Sequence, residues 1–127
     1  MWTIRWSENI VVLKSAKDTM KLINNIHCDH LNVQPIIVQV ESSLGDLMLI
    51  GVGNESYSII DYFPHNKNYS LSPQGENDGN DIVSFYIGDD ESQFYTKDTI
   101  KYQTALEILE YFLTTDALLE KISWVYD

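Results

Sequence analysis

The tetrapeptide His27-Cys28-Asp29-His30 gathers the side chains best suited to metal or acid–base chemistry in this chain of 127 residues. On a continuing helix, His27 and His30 share a face at i, i+3 spacing, while Cys28 and Asp29 point elsewhere. Two imidazoles without a third and fourth ligand make a weak metal site. The expected reading is a frayed helix end, where histidines complement the negative pole of the helix dipole. Gly51-Val52-Gly53-Asn54-Glu55-Ser56 superficially resembles a phosphate loop, but such a loop opens a helix whose N–H groups meet the anion. Here a strand-like run follows and Glu55 sits beside the turn, so a hairpin turn is expected instead. His27, His30 and His65 are the three imidazoles, and none lies in a motif with a nucleophile and an orienting acid. The expectation is no catalytic residue, no metal, no cofactor and no enzymatic activity.

The stretch from Glu76 to Glu91 carries a different kind of chemistry. Glu76, Asp78, Asp81, Asp89, Asp90 and Glu91 place six carboxylates in sixteen residues, with no Lys or Arg between Lys67 and Lys97. Tyr69, Tyr86 and Tyr95 lie nearby in sequence. A solvated loop and hairpin tip accounts for such a run. So does an acidic surface that docks on a basic protein, where charge steers association and a tyrosine such as Tyr69 supplies anchoring area. The candidate partner-binding set is therefore the six carboxylates with Tyr69.

Composition bounds what can carry these residues. At roughly 150 residues per domain the length allows one domain, residues 1–127. Hydrophobic residues make up 44% of the chain and aromatic ones 12%, enough for a folded core rather than an acidic disordered tail. The 19 acidic and 8 basic side chains give a net charge of −11. Nucleic acid is not an expected partner, because phosphate neutralisation needs a basic surface. The acid is concentrated late: residues 1–40 carry a net +1 and residues 41–127 a net −12. Cys28 is the only cysteine, which excludes an internal disulfide and a thiolate zinc cluster. The longest strongly apolar run, Leu47 to Gly53, falls far short of the ~20 residues that span a bilayer. Arg5 and Glu8 interrupt the first residues where a signal peptide needs an unbroken apolar centre. No membrane partner is expected, and the cytoplasm is the expected compartment.

The periodicity assigns elements to these residues. Trp2, Ile4 and Trp6 alternate as a short first strand. From Ser15, Ala16, Met20, Ile23 and Ile26 or His27 fall at helical spacing, with Ser15 placed to cap and Asp18 in the first turn. Three strands follow as a meander: Ile36 to Glu41, Leu47 to Val52 and Tyr57 to Phe63, with turns at Gly45-Asp46 and Gly53-Asn54. Both faces of the middle strand are apolar, which marks it as central and covered on both sides. A short strand over Tyr69 to Ser72 precedes a hairpin: Ile82 to Ile87, a turn at Gly88-Asp89-Asp90-Glu91, then Gln93 to Thr96. Tyr102, Ala105, Leu109 and Phe112 make the stripe of a second helix, widened by Leu106 and Leu113. Ile122 to Tyr126 alternates as a last strand. This segregated order predicts an α+β fold, mainly antiparallel sheet with two helices packed on one face.

From about Leu44 to Tyr126 the chain resembles the first-numbered immunity-protein family of bacterial polymorphic toxin and contact-dependent growth inhibition systems. The resemblance lies in the order and spacing of LMLIGVGNESYSIIDYF (Leu47–Phe63), SLSPQG (Ser70–Gly75) and VSFYIGDDESQF (Val83–Phe94). It continues through Ile100, Ala105, Phe112-Leu113 and ISW (Ile122–Trp124). It departs at Lys101 and at Leu118-Leu119-Glu120, where family members often carry proline. The resemblance implies an immunity protein, an antitoxin that binds and neutralises a cognate toxin domain. It carries over no catalytic residues. Taken with the charge, it implies a basic toxin, such as a nuclease or another toxin acting on nucleic acid, held by direct protein–protein contact. Two alternatives come from other classes: a small-molecule-binding regulatory domain with a pocket between sheet and helices, and an acidic mimic of nucleic acid.

Overall fold

The computed structural model describes all residues from Met1 to Asp127. Its elements in chain order are β1 (Trp2–Trp6), β2 (Asn9–Leu13), α1 (Ala16–His30), β3 (Ile36–Ser42), β4 (Leu47–Val52), β5 (Ile60–Phe63) and β6 (Leu71–Pro73). They continue with β7 (Ile82–Ile87), β8 (Asp90–Tyr95), a 3-10 turn at Thr96–Asp98, α2 (Tyr102–Thr115) and β9 (Trp124–Tyr126). The sheet runs β2-β1-β3-β4-β5-β6-β9, and every neighbouring pair along that path is antiparallel. The hairpin β7–β8 lies off the path and joins it through one parallel bridge, Ile36 to Tyr86. This is the expected α+β fold.

Alternation divides the sheet into two unlike faces. Ile4, Val38, Val40, Met48, Ile50, Ile60 and Tyr62 face both helices and meet Ile23, Ile26, Ala105, Ile108, Leu109 and Phe112 in one apolar core. Both helices thus cover the same face. Trp2 and Tyr62 meet the Phe112 ring edge-on at 5.1 and 5.6 Å, so Phe112 ties α2 to two separate strands. On the opposite face a smaller cluster of Ile37, Ile59, Val83 and Phe85 lies where the hairpin crosses. A Cβ on Gly51 would stand 2.8 Å from the Phe85 ring, so a glycine in β4 allows the hairpin this close approach. The centre of the sheet is consequently covered on both sides.

Local signals explain the helix ends. The Ser15 hydroxyl accepts the Asp18 N–H at 2.9 Å and starts α1. Asp116, in the left-handed conformation with φ 57°, closes α2. α1 does not fray at its histidines; it runs intact through His30.

Several boundaries differ from the sequence expectation. Asn9–Leu13 forms a strand paired with β1 although Ile10-Val11-Val12 has no alternation to signal it. The expected strand from Tyr57 is shorter because Ser58 pairs with Ile100, the two exchanging backbone hydrogen bonds at 2.7 and 3.0 Å. The hairpin turn is Gly88-Asp89 alone. Asp90 pairs with Ile87 and Glu91 with Tyr86, so these two carboxylates belong to a strand. No helix is long and apolar enough to cross a membrane.

Candidate functional site

The two histidines of α1 are committed to the fold. His27 is buried, and its Nδ1 accepts the Gly53 N–H at 2.9 Å. Its ring stacks on Tyr102 at 3.6 Å between centroids, joining α1 to α2. Burial lowers its pKa, so the neutral ring that this hydrogen bond requires is the favoured form. His27 is therefore a core histidine and not a dipole-stabilised cation at a loose helix end. The His30 Nδ1–H donates to the Ile26 carbonyl at 2.8 Å, and Cys28 is exposed. No group of three or more His, Cys, Asp or Glu side chains converges as a metal site.

Gly51 and Val52 complete β4, and the turn that follows spans residues 53–56. The Asn54 side-chain oxygen accepts the N–H groups of Ser56 and Tyr57 at 2.9 and 3.0 Å, and β5 follows rather than a helix. His65 and Asp46 form another local clasp: the His65 backbone N–H and ring nitrogen lie 2.8 and 2.7 Å from Asp46 Oδ1. Burial pushes the Asp46 pKa up, but the His65 contacts outweigh it and hold the carboxyl below its usual range.

The six carboxylates of the acidic segment fall into two groups at opposite ends of the hairpin. Asp89, Asp90 and Glu91 lie at its tip; Glu76, Asp78 and Asp81 lie at its root, beside Thr96 and Thr99. Strands of six residues separate the ends by about 17 Å. All six are exposed. Ion pairs inside the protein engage Glu41, Asp46 and Glu107, so none of the six has a cationic partner. Two have neutral donors. Glu76 Oε1 accepts the Lys101 N–H at 2.6 Å, which caps α2 at a residue whose own side chain does not. Glu91 accepts the Ser84 hydroxyl at 2.6 Å and the Tyr86 hydroxyl at 3.3 Å. The Ser84 bond, foremost, lowers the Glu91 pKa. Tyr69 is not beside the hairpin tip. Its ring meets Tyr126 edge-on at 5.3 Å, next to the β6–β9 pair.

A cleft that the sequence reading did not identify lies on the helix-free face. It encloses about 540 Å³ between β5, β6 and β9 on one side and the root of the hairpin on the other. Ile59, Pro73, Phe94 and Val125 contribute apolar wall, and Asp61, Asp98 and Asp127 contribute carboxylates. No Lys or Arg lines it. Burial, and then the neighbouring charge of Asp127, push the Asp61 carboxyl up to about 6. The Ser72 hydroxyl donates to Asp127 at 3.2 Å. None of the seven residues singled out from sequence lines this cleft. One signal was present: Asp61 is a lone carboxylate in the apolar run Ile59-Ile60-Asp61-Tyr62-Phe63. Asp98 and Asp127 reach the cleft only through tertiary structure.

Comparison of the chain with protein-family models and with curated proteins finds no match.

Proposed function

We propose that the chain is a non-catalytic immunity protein that binds and neutralises a cognate bacterial toxin domain of basic surface, acting in the cytoplasm. The observation that carries this reading is the set of exposed carboxylates without internal cations, above all Asp89 and Asp90 at the hairpin tip. Charge of one sign left unpaired on a folded surface raises the encounter rate with a partner of opposite sign. A toxin that acts on nucleic acid must hold phosphates and therefore presents such a partner surface. The residue resemblance to the first-numbered immunity family supports the same role. The test is expression of a candidate basic toxin domain sought in the neighbouring reading frames, alone and with this chain. Growth restored by the chain supports the reading; growth arrested equally in both overturns it.

A second reading, a regulatory domain that binds a small molecule, is favoured by the cleft, whose volume falls in the range of ligand pockets. The pocket lies between the sheet and the hairpin, not between the sheet and the helices as the sequence reading placed it.

A further inference from the structure

We propose that the cleft bounded by Asp61, Asp98 and Asp127 is the pocket into which the protein partner inserts an arginine side chain. The source of that arginine rests on the immunity reading above; the chemistry of the pocket rests on the cleft alone. The space, about 540 Å³, accommodates a guanidinium on its three-carbon stem together with the backbone that presents it. Phe94, Pro73 and Val125 form the apolar wall. A methylene stem lies favourably along such a wall, and a guanidinium stacks on an aromatic face. The three carboxylates and the absence of any lysine or arginine in the lining make the cleft complementary to a cation.

Asp61 supplies the strongest argument for a cationic occupant. It projects from β5 onto the helix-free face, half-buried; burial and then the like charge of Asp127 act on its carboxyl, and no donor of the protein itself bonds to it. A cation with several N–H donors relieves both the desolvation and the repulsion from Asp127. Arginine suits this better than lysine. Its planar fork bridges carboxylates, and its weaker hydration makes removal from water less costly. The Ser72 hydroxyl already orients Asp127, so part of the pocket is arranged before the partner arrives.

Free polyamines share this chemistry, so the test separates the sources. The full-length chain, labelled with ¹⁵N, is titrated with N-acetyl-arginine methylamide, with its citrulline counterpart and with spermidine. The proposal expects saturable shifts concentrated at residues 59–61, 70–75, 94–100 and 125–127. Citrulline, which lacks the charge, should bind at least about tenfold more weakly, and Asp61→Asn should lose a similar factor for arginine. Asp98→Asn is the second variant, lying outside the β5 strand. Equal shifts at Asp89, Asp90 and other exposed carboxylates overturn the pocket, as does citrulline binding as well as arginine. Spermidine binding the same residues more tightly than the arginine compound overturns a partner's side chain as the occupant. With the toxin domain in hand, full-strength binding by both Asn variants overturns the cleft and leaves the immunity reading standing. A toxin that wild-type protein does not bind overturns the immunity reading, while the arginine titration still judges the pocket.

Discussion

Replacing Asp61 with Asn should stabilise the protein at neutral pH and have no effect in acid. The Asp61 carboxyl is raised to about 6 in the folded chain, from the usual 3.8, by burial first and by Asp127 second. The folded state therefore holds this proton more tightly than the unfolded state does. Stability contributed by Asp61 is highest below the unfolded value, falls as pH rises through the interval from about 4 to about 6, and stays low above it. A difference of about two pH units corresponds to about 3 kcal/mol at full weight. Because the side chain is partly open to solvent, screening reduces this to about 1–2 kcal/mol. Asn keeps the shape and removes the charge. Urea unfolding of both proteins at a series of pH values measures the difference directly. Taking the difference cancels the opposite trend from His27. Its lowered pKa makes the fold lose stability as pH falls through about 6.5, where the unfolded histidine takes up a proton. The variant should gain about 1–2 kcal/mol at pH 7.5, shrinking to nothing near pH 4. Equal stability at every pH, or a less stable variant at pH 7.5, would refute the claim that burial and Asp127 disfavour the charge of this carboxylate in the cleft.

The other predictions address the core, a cap and the acidic tip. Leu109→Ala or Phe112→Ala, at fully buried positions between α2 and the sheet, should each cost roughly 2–5 kcal/mol in urea unfolding; wild-type stability in either would place the α2 stripe in solvent. Glu76→Ala should cost roughly 0.5–1 kcal/mol by removing the carboxylate that caps the Lys101 N–H, and an unchanged midpoint would show that the bond contributes nothing. Changing Asp89, Asp90 and Glu91 together to Asn or Gln should slow toxin association and flatten its salt dependence, as measured by stopped flow at low and high salt. Unchanged rates would place the interface away from the tip. For the hairpin root the informative variant is Asp78 with Asp81, since Glu76 also holds a helix end.

What was legible in the sequence follows from periodicity. The alternation in Ile36–Glu41 and the stripe Tyr102-Ala105-Leu109-Phe112 record which face of each element is buried, the unbroken apolar run Leu47–Val52 marks a strand covered on both faces, and these elements stand where expected. Ser15 and Asp18 marked a helix start because capping is local. Ile10-Val11-Val12 offered no alternation, and its strand exists because β1 presents an edge for it. The tip of the hairpin was read two residues too wide, since a pair of adjacent acids signals a turn by composition while register is decided by the partner strand. His27 reads in the sequence either as the last position of the α1 stripe or as a frayed helix end; its burial depends on Gly53 and Tyr102, 26 and 75 positions away. The candidate site divides in the same way. The acidic segment was visible as a run of charge, but its separation into tip and root is a property of the hairpin. The cleft is assembled from five separate stretches of chain, and of its carboxylates only Asp61 carried a local sign.

The central claim is stoichiometric binding of a basic toxin domain. Calorimetric titration of this chain with a purified, catalytically inactivated candidate toxin domain sought in the neighbouring reading frames tests it most directly. The account predicts saturation at one to one, with affinity that weakens as salt is raised. Absence of binding heat at several temperatures, together with full activity of the active toxin in molar excess of this chain, would contradict it.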